Sequence, residues 1–124
     1  MTGDVGDFTV QLHGTVDQVA RTLDQFVGAL TTELTQRIID RTPEATGQLK
    51  GAWGVGRNDE APVPGIAAAG QVRLGDTIVI ANPLPYAGPV EYGTHRTAPA
   101  AMVRTTLAEL DAIAGRAAAT VSAA

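Results

Sequence analysis

One run of apolar residues at helical spacing constrains this chain more than any other feature. Val16, Val19, Ala20, Leu23, Phe26, Val27, Leu30, Leu34 and Ile38 follow one another at steps of mostly three and four residues, the period of a single helix face. Thr15 followed by Gln18 has the form of a capping box. At the other end Pro43 disfavours helical geometry at Thr42. The spacing therefore predicts a helix of roughly 26 residues, about 39 Å long, ending near Arg41. That is longer than a small domain needs, and a chain of 124 residues makes one domain by length. The helix must then form one wall of a single domain spanning residues 1–124, with its Leu23, Val27, Leu30, Leu34 and Ile38 face on a sheet.

The remaining segments supply that sheet. Phe8, Val10 and Leu12 alternate between Asp7 and His13, which predicts a short strand behind a flexible 1–7 leader. Leu49 to Val55 reads as a second strand, with Trp53 as the largest anchor in the chain. Residues 59–70 lack both periodicities and are rich in Ala, Pro and Gly, the pattern of a mobile loop. Gln71–Leu74, Gly75-Asp76 and Thr77–Ala81 read as a hairpin with a Gly-first type II′ turn. A second helix is expected from Thr97 as N-cap, with Pro99 in its first turn. Met102, Val103, Leu107, Leu110, Ile113, Ala114 and Ala117 continue it at helical spacing, and 118–124 are expected to fray. The order β-α-β-β-β-α gives an α+β domain: an antiparallel sheet of three to four strands with a long N-terminal and a C-terminal helix packed on it.

Composition narrows the chemistry. The net charge is −4, and eight of the nine basic residues are Arg, scattered rather than clustered. A duplex-binding groove needs grouped cations, so nucleic-acid binding is not expected. There are no cysteines, which excludes disulfides, thiolate metal sites and Cys nucleophiles. No apolar run approaches the ~20 residues needed to cross a bilayer, and the acidic start Asp4–Asp7 does not have the form of a signal peptide. A soluble protein is expected. Aromatic residues make up only 4%, so the core is expected to be thin and completed by partners.

No group of residues reads as a constructed active site. His13 and His95 have no Asp, Glu or second His at ligand spacing, so no metal and no cofactor are expected. Gly54-Val55-Gly56 and Gly75-Asp76 match neither dinucleotide nor phosphate fingerprints. Glu91 is the best-placed carboxylate, but it lacks a second titratable partner for acid–base work. It suits a partner-facing contact, or an internal ion pair with Arg96 or Arg104 that fixes the bend, as well as a solvated loop acid. Trp53 and Tyr86 read as core and loop anchors rather than stacking platforms. Pro83 and Pro85 are expected in trans.

Two segments carry detailed backbone chemistry without reactive chemistry. The first is Arg41-Thr42-Pro43-Glu44-Ala45-Thr46-Gly47-Gln48-Leu49-Lys50-Gly51-Ala52-Trp53. The second, about thirty residues on, runs Asn82-Pro83-Leu84-Pro85-Tyr86-Ala87-Gly88-Pro89-Val90-Glu91-Tyr92-Gly93-Thr94. In this order and spacing, with a proline before a final helix at Pro99, they resemble the small neck or tail-component proteins of long-tailed double-stranded DNA phages. The resemblance covers roughly residues 16–117, and the insertion at 59–70 departs from it. It implies a non-enzymatic virion protein at the head–tail junction, assembled in the bacterial cytoplasm as a homo-oligomeric ring of six- or twelve-fold symmetry. Its partners would be further copies of itself, a tail terminator or tail tube, and head-closure or connector proteins. DNA would pass through without specific binding, and no membrane would be involved. Pro43, Gly47, Trp53, Asn82 and Tyr86 are then structural anchors, while Glu91, Tyr92, Gly93, Thr94 and Arg96 form the bend that meets a neighbour. A small ligand-binding or enzymatic α+β domain is the rival reading.

Overall fold

The computed structural model describes residues 2–43 and 47–123, with side chains from residue 18 through residue 121 within those ranges. The fold is α+β: a long N-terminal helix, a three-stranded antiparallel sheet and C-terminal helices. Helix α1 runs from Thr2 to Arg41, about 60 Å at 1.5 Å per residue. It swallows both the strand expected at 7–13 and the helix start expected at Thr15 and Gln18. Three alternating apolar residues do not outweigh extension of a helix already nucleated below them, because each added residue gains a hydrogen bond without a new nucleation cost.

The stop came where Pro43 put it. Thr42 leaves the helix with its amide on the Ile39 carbonyl at 3.0 Å, and its hydroxyl donates to the Ile38 carbonyl at 2.8 Å. A short helix α2 (Gly47–Gly51) follows, so Leu49 is helical and the strand expected over 49–55 begins only at Gly54. Strand β1 (Gly54–Arg57) is the centre of the sheet, flanked by β2 (Val63–Pro64) and β3 (Ile78–Ala81) in the order β2-β1-β3. Segment 59–70 is thus a reversal that returns β2 onto β1 and then enters a 3-10 turn, Ala67–Gln71, whose Ala69 is fully buried. Gly54 explains the close return: a Cβ there would stand 2.8 Å from the Val63 carbonyl oxygen.

The expected local hairpin is also redrawn. Residues 71–74 do not pair with 77–81; β3 pairs with β1 instead, Val55 opposite Ile80 and Arg57 opposite Ile78. Gly75 has φ +92 and is the third residue of a turn closed by the Asp76 amide on the Arg73 carbonyl. Positive φ at that position is the type II arrangement, not II′.

Helices α3 (Ala87–Tyr92), α4 (Met102–Ala108) and α5 (Leu110–Ala123) complete the chain. The C-terminal helix begins five residues after the expected Thr97 cap and breaks at Glu109; it continues through the 118–123 stretch expected to fray. Helix α1 packs against α5, α4 and the 3-10 turn, and reaches the sheet through two apolar clusters. One joins Ile38, Leu49, Trp53 and Met102; the other joins Val55, Ala69 and Val72, with Val27 alongside. Of the expected α1 face only Ile38 is buried; Val27, Leu30 and Leu34 are half-buried and Leu23 is exposed.

Candidate functional site

The two segments singled out in the sequence meet in one joint. Trp53 is buried, and its indole Nε1 donates to the Thr42 hydroxyl at 2.8 Å. That bond ties the start of β1 to the end of α1. Asn82 donates from Nδ2 to the Leu49 carbonyl at 2.7 Å and accepts the Leu84 amide on Oδ1 at 3.1 Å, locking the exit of β3 to α2. Tyr86 and Leu84 pack on the Trp53 cluster. Pro43 and Gly47 are exposed at the α1–α2 corner, and Thr46 between them lies outside the described residues. Trp53, Asn82 and Tyr86 therefore join α1, α2, β1 and β3 at one end of the molecule.

Glu91 is the other half of the joint. It sits in the last turn of α3, 6% exposed, and its two oxygens accept the backbone amides of Val103 at 2.8 Å and Arg104 at 3.0 Å. These are the second and third residues of α4, whose amides have no partner inside the helix. Glu91 does from twelve residues away what an N-cap side chain does locally. Arg104 closes the clasp, with Nε on Glu91 Oε2 at 3.1 Å and Nη2 on the Glu91 carbonyl at 2.7 Å. Burial pushes the Glu91 carboxyl up, but the two amides and the guanidinium outweigh it and hold it below its ordinary value. Of the two arginines named beforehand, Arg104 makes the pair and Arg96 does not.

The bend beyond Glu91 faces outward. Tyr92 is 68% exposed, and Arg104 stacks over its ring at 4.7 Å. Gly93 ends α3 with φ +79, and a Cβ there would stand 2.7 Å from the Pro99 nitrogen, so only glycine fits. Thr94 and Thr97 hydrogen-bond each other's backbones, and the Thr94 hydroxyl accepts the Arg96 and Thr97 amides. His95 and Arg96 are exposed on this turn. Of the readings open for Glu91, the internal pair is the one the structure has, while Tyr92 and Arg96 point out.

A second polar group, missed in the sequence, lies where α1 meets the end of α4 and α5. Glu33 accepts from Arg37 at 3.2 Å and from Arg116 at 2.7 Å, and Glu109 accepts from Arg41 at 2.6 Å. Arg41 also donates to the buried Thr106 hydroxyl at 2.8 Å. Hydrogen bonds from Arg116 lower the Glu33 carboxyl, and those from Arg41 lower that of Glu109. The four-residue steps Glu33, Arg37, Arg41 signal a charged stripe; their partners, Glu109 at the α4–α5 break and Arg116 in α5, carry no local signal. Beside this stripe an apolar groove of about 320 Å³ is lined by Val27, Leu30, Leu34, Ile78, Ile80 and Leu107, among others.

Among the described residues no three His, Asp or Glu side chains converge on a point where a metal ion would sit, and no helix is long and apolar enough to cross a membrane. His13 lies where side chains are not described. Comparison of the chain with protein-family models, curated proteins and solved structures found no match.

Proposed function

We propose that this chain is a structural subunit of a phage head–tail junction, a neck or tail-completion protein that assembles as a ring. The observation that carries the reading is the division of labour in the joint. Among the described residues, Arg41, Thr42, Trp53, Asn82 and Glu91 spend their polar groups on tying α1, α2, β1 and α4 together, and the turn at 92–96 is carried outward on that base. Glu91 is buried, with both oxygens engaged by α4 amides and by Arg104, and is not presented to a substrate. A stiff, outward-facing turn loses little conformational freedom when it docks, which favours assembly over chemistry. In this reading Tyr92, Thr94 and Arg96 meet the neighbouring subunit, while Glu91 and Gly93 set the angle of presentation. Further copies, a tail terminator or tail tube and a connector protein are the partners, and DNA passes the ring without being held by sequence.

Negative-stain electron microscopy of the purified protein, alone and mixed with tails and with filled heads, tests this. Rings, or density added at a tail end or connector, are expected. Loss of both in a Tyr92→Ser, Arg96→Ser double variant that keeps its circular dichroism would assign the contact to this turn. A protein that forms no ring and binds neither structure overturns the reading.

A further inference from the structure

The two edges of the sheet are built differently. In an antiparallel ladder, alternate residues of a strand turn their N–H and C=O toward one neighbour and the residues between turn theirs the other way. The Asn58 amide bonds the Thr77 carbonyl at 2.7 Å, and the Gly65 amide bonds the Trp53 carbonyl at 2.9 Å. With the registers Val55 opposite Val63 and Val55 opposite Ile80, these bonds fix the phase. Thr77, Val79 and Ala81 face β1, so Ile78 and Ile80 turn their N–H and C=O outward. On the far edge the outward positions are Pro62 and Pro64, which have no N–H to offer. Proline on an edge is a standard block against further pairing. One edge is closed to another strand and the other is left open, with no hydrogen-bond partner for Ile78 or Ile80 among the described residues.

We infer that the open edge pairs with the same edge of a second copy, joining two sheets into one of six strands across a two-fold axis at Val79. The sequence Ile78-Val79-Ile80 is its own complement in that register. Ile78 faces Ile80 of the other copy and Ile80 faces its Ile78, each pair exchanging both backbone bonds, and Val79 faces Val79. All the outward N–H and C=O groups are satisfied at once. Flanking residues fit: Asp76 comes opposite Asn82 and Thr77 opposite Ala81, with no like charges facing. The side chains agree. Ile78 and Ile80 line the apolar groove beneath the sheet, so pairing makes the two grooves continuous. Val79 lies 40% exposed on the opposite face, beside Gly56, whose missing side chain leaves one flank of the valine uncovered. A β2-to-β3 chain of sheets, by contrast, is blocked by Pro62 and Pro64, so the contact closes as a pair and cannot run on into a fibre. This inference rests on the sheet alone and not on the virion reading.

Cross-linking reads it directly, because the chain has no native cysteine. Across a non-hydrogen-bonded antiparallel pair the Cα atoms stand about 4.5 Å apart, within disulfide range. Val79→Cys is expected to form a disulfide-linked dimer under mild oxidation on the order of tenfold faster than Leu74→Cys, an exposed position off the edge. Light scattering should show a concentration-dependent dimer in the unmodified chain. Ile80→Pro, which copies the device of the far edge, and Val79→Lys, which sets two cations face to face, should both be monomeric at the same concentration while retaining their circular dichroism. Equal cross-linking of the two cysteine variants, or a monomer at every concentration, overturns the inference. So does a larger assembly that Val79→Lys leaves intact, an outcome that would leave the ring reading standing.

Discussion

Two carboxylate–arginine clusters join helices in this molecule, and they are built on opposite terms. Glu91 is almost fully buried, and its main partners are backbone amides whose positions are fixed by α4 itself. Glu33 on α1 and Glu109 at the α4–α5 break are partly exposed, and their partners are the ends of long arginine side chains. The geometry looks similarly good in both, yet the energetics differ. A surface pair must order two flexible side chains in high dielectric, and it returns little. A buried carboxylate bonded to amides orders nothing that the fold has not already ordered, and removing it strands those amides. The first cluster should therefore set stability and the second should hardly register.

Breaking the buried cluster should produce the largest effect. Glu91→Ala leaves the Val103 and Arg104 amides without acceptors and frees Arg104, which can still reach water. The expected loss is roughly 2–4 kcal/mol, read as a drop in the urea midpoint with an unchanged slope. A loss under half a kcal/mol would mean that water replaces the carboxylate at the α4 start and that the clasp is ornamental. Trp53→Phe, at the other end of the same joint, keeps most of the ring packing but removes the indole donor to Thr42. A cost of about 1–2 kcal/mol is expected. Trp53 emission should be blue-shifted in the folded protein, and water-like emission in the native state would contradict its burial.

What the sequence revealed of this joint follows the same division. The stop at Pro43, the anchors Trp53, Asn82 and Tyr86, and strand residues Ile78–Ala81 were legible because local rules act on them directly: proline geometry, large aromatic burial, β-branched runs. The pair Glu91–Arg104 was legible as one of two options. The start of α4 was not. Thr97 and Pro99 form a good local cap signal, but Thr97 is held in a turn with Thr94, and Ala101 just before α4 takes φ +49. The cap comes from Glu91, and no capping rule reads across twelve residues. The sheet failed for a related reason. Gly75-Asp76 makes a real turn, since Asp76 accepts the Arg73 amide at 2.8 Å, but β3 has its partner in β1. Strand pairing is decided by which faces can be buried together, and the sequence of one strand does not carry that. Pro62 and Pro64 read as loop breakers; at alternate positions they were also the mark of a guarded edge.

Acid should weaken the buried clasp over a defined pH window. Glu91 is ionised in the folded state with its carboxyl held below the ordinary 4.5, so the folded state binds fewer protons than the unfolded one near that pH. Its contribution is complete above the unfolded value and drains away as pH falls from there through the lowered folded value. The gap in stability between the native chain and Glu91→Ala should be constant from pH 7 down to about pH 5 and narrow below it. A gap that widens on acidification would mean the carboxyl is raised, with burial winning over its hydrogen bonds.

The smallest effect should come from the surface cluster. Glu109→Gln keeps a hydrogen-bonding side chain beside Arg41 while removing the charge. Glu109 is 37% exposed in its side chain, so the attraction it loses is one that water and salt already weaken. Arg41 keeps its bond to the buried Thr106 hydroxyl, which holds the guanidinium near its present place. The urea midpoint should therefore move within experimental error at 0.15 M salt, and raising the salt to about 1 M should leave the variant and the native chain indistinguishable. The same salt step should leave the effect of Glu91→Ala nearly intact, because its amide partners are not screened by ions that cannot reach them. If Glu109→Gln instead costs as much as Glu91→Ala, the α1–α5 arginines are acting as a connected network, and burial is the wrong measure of what holds these helices together.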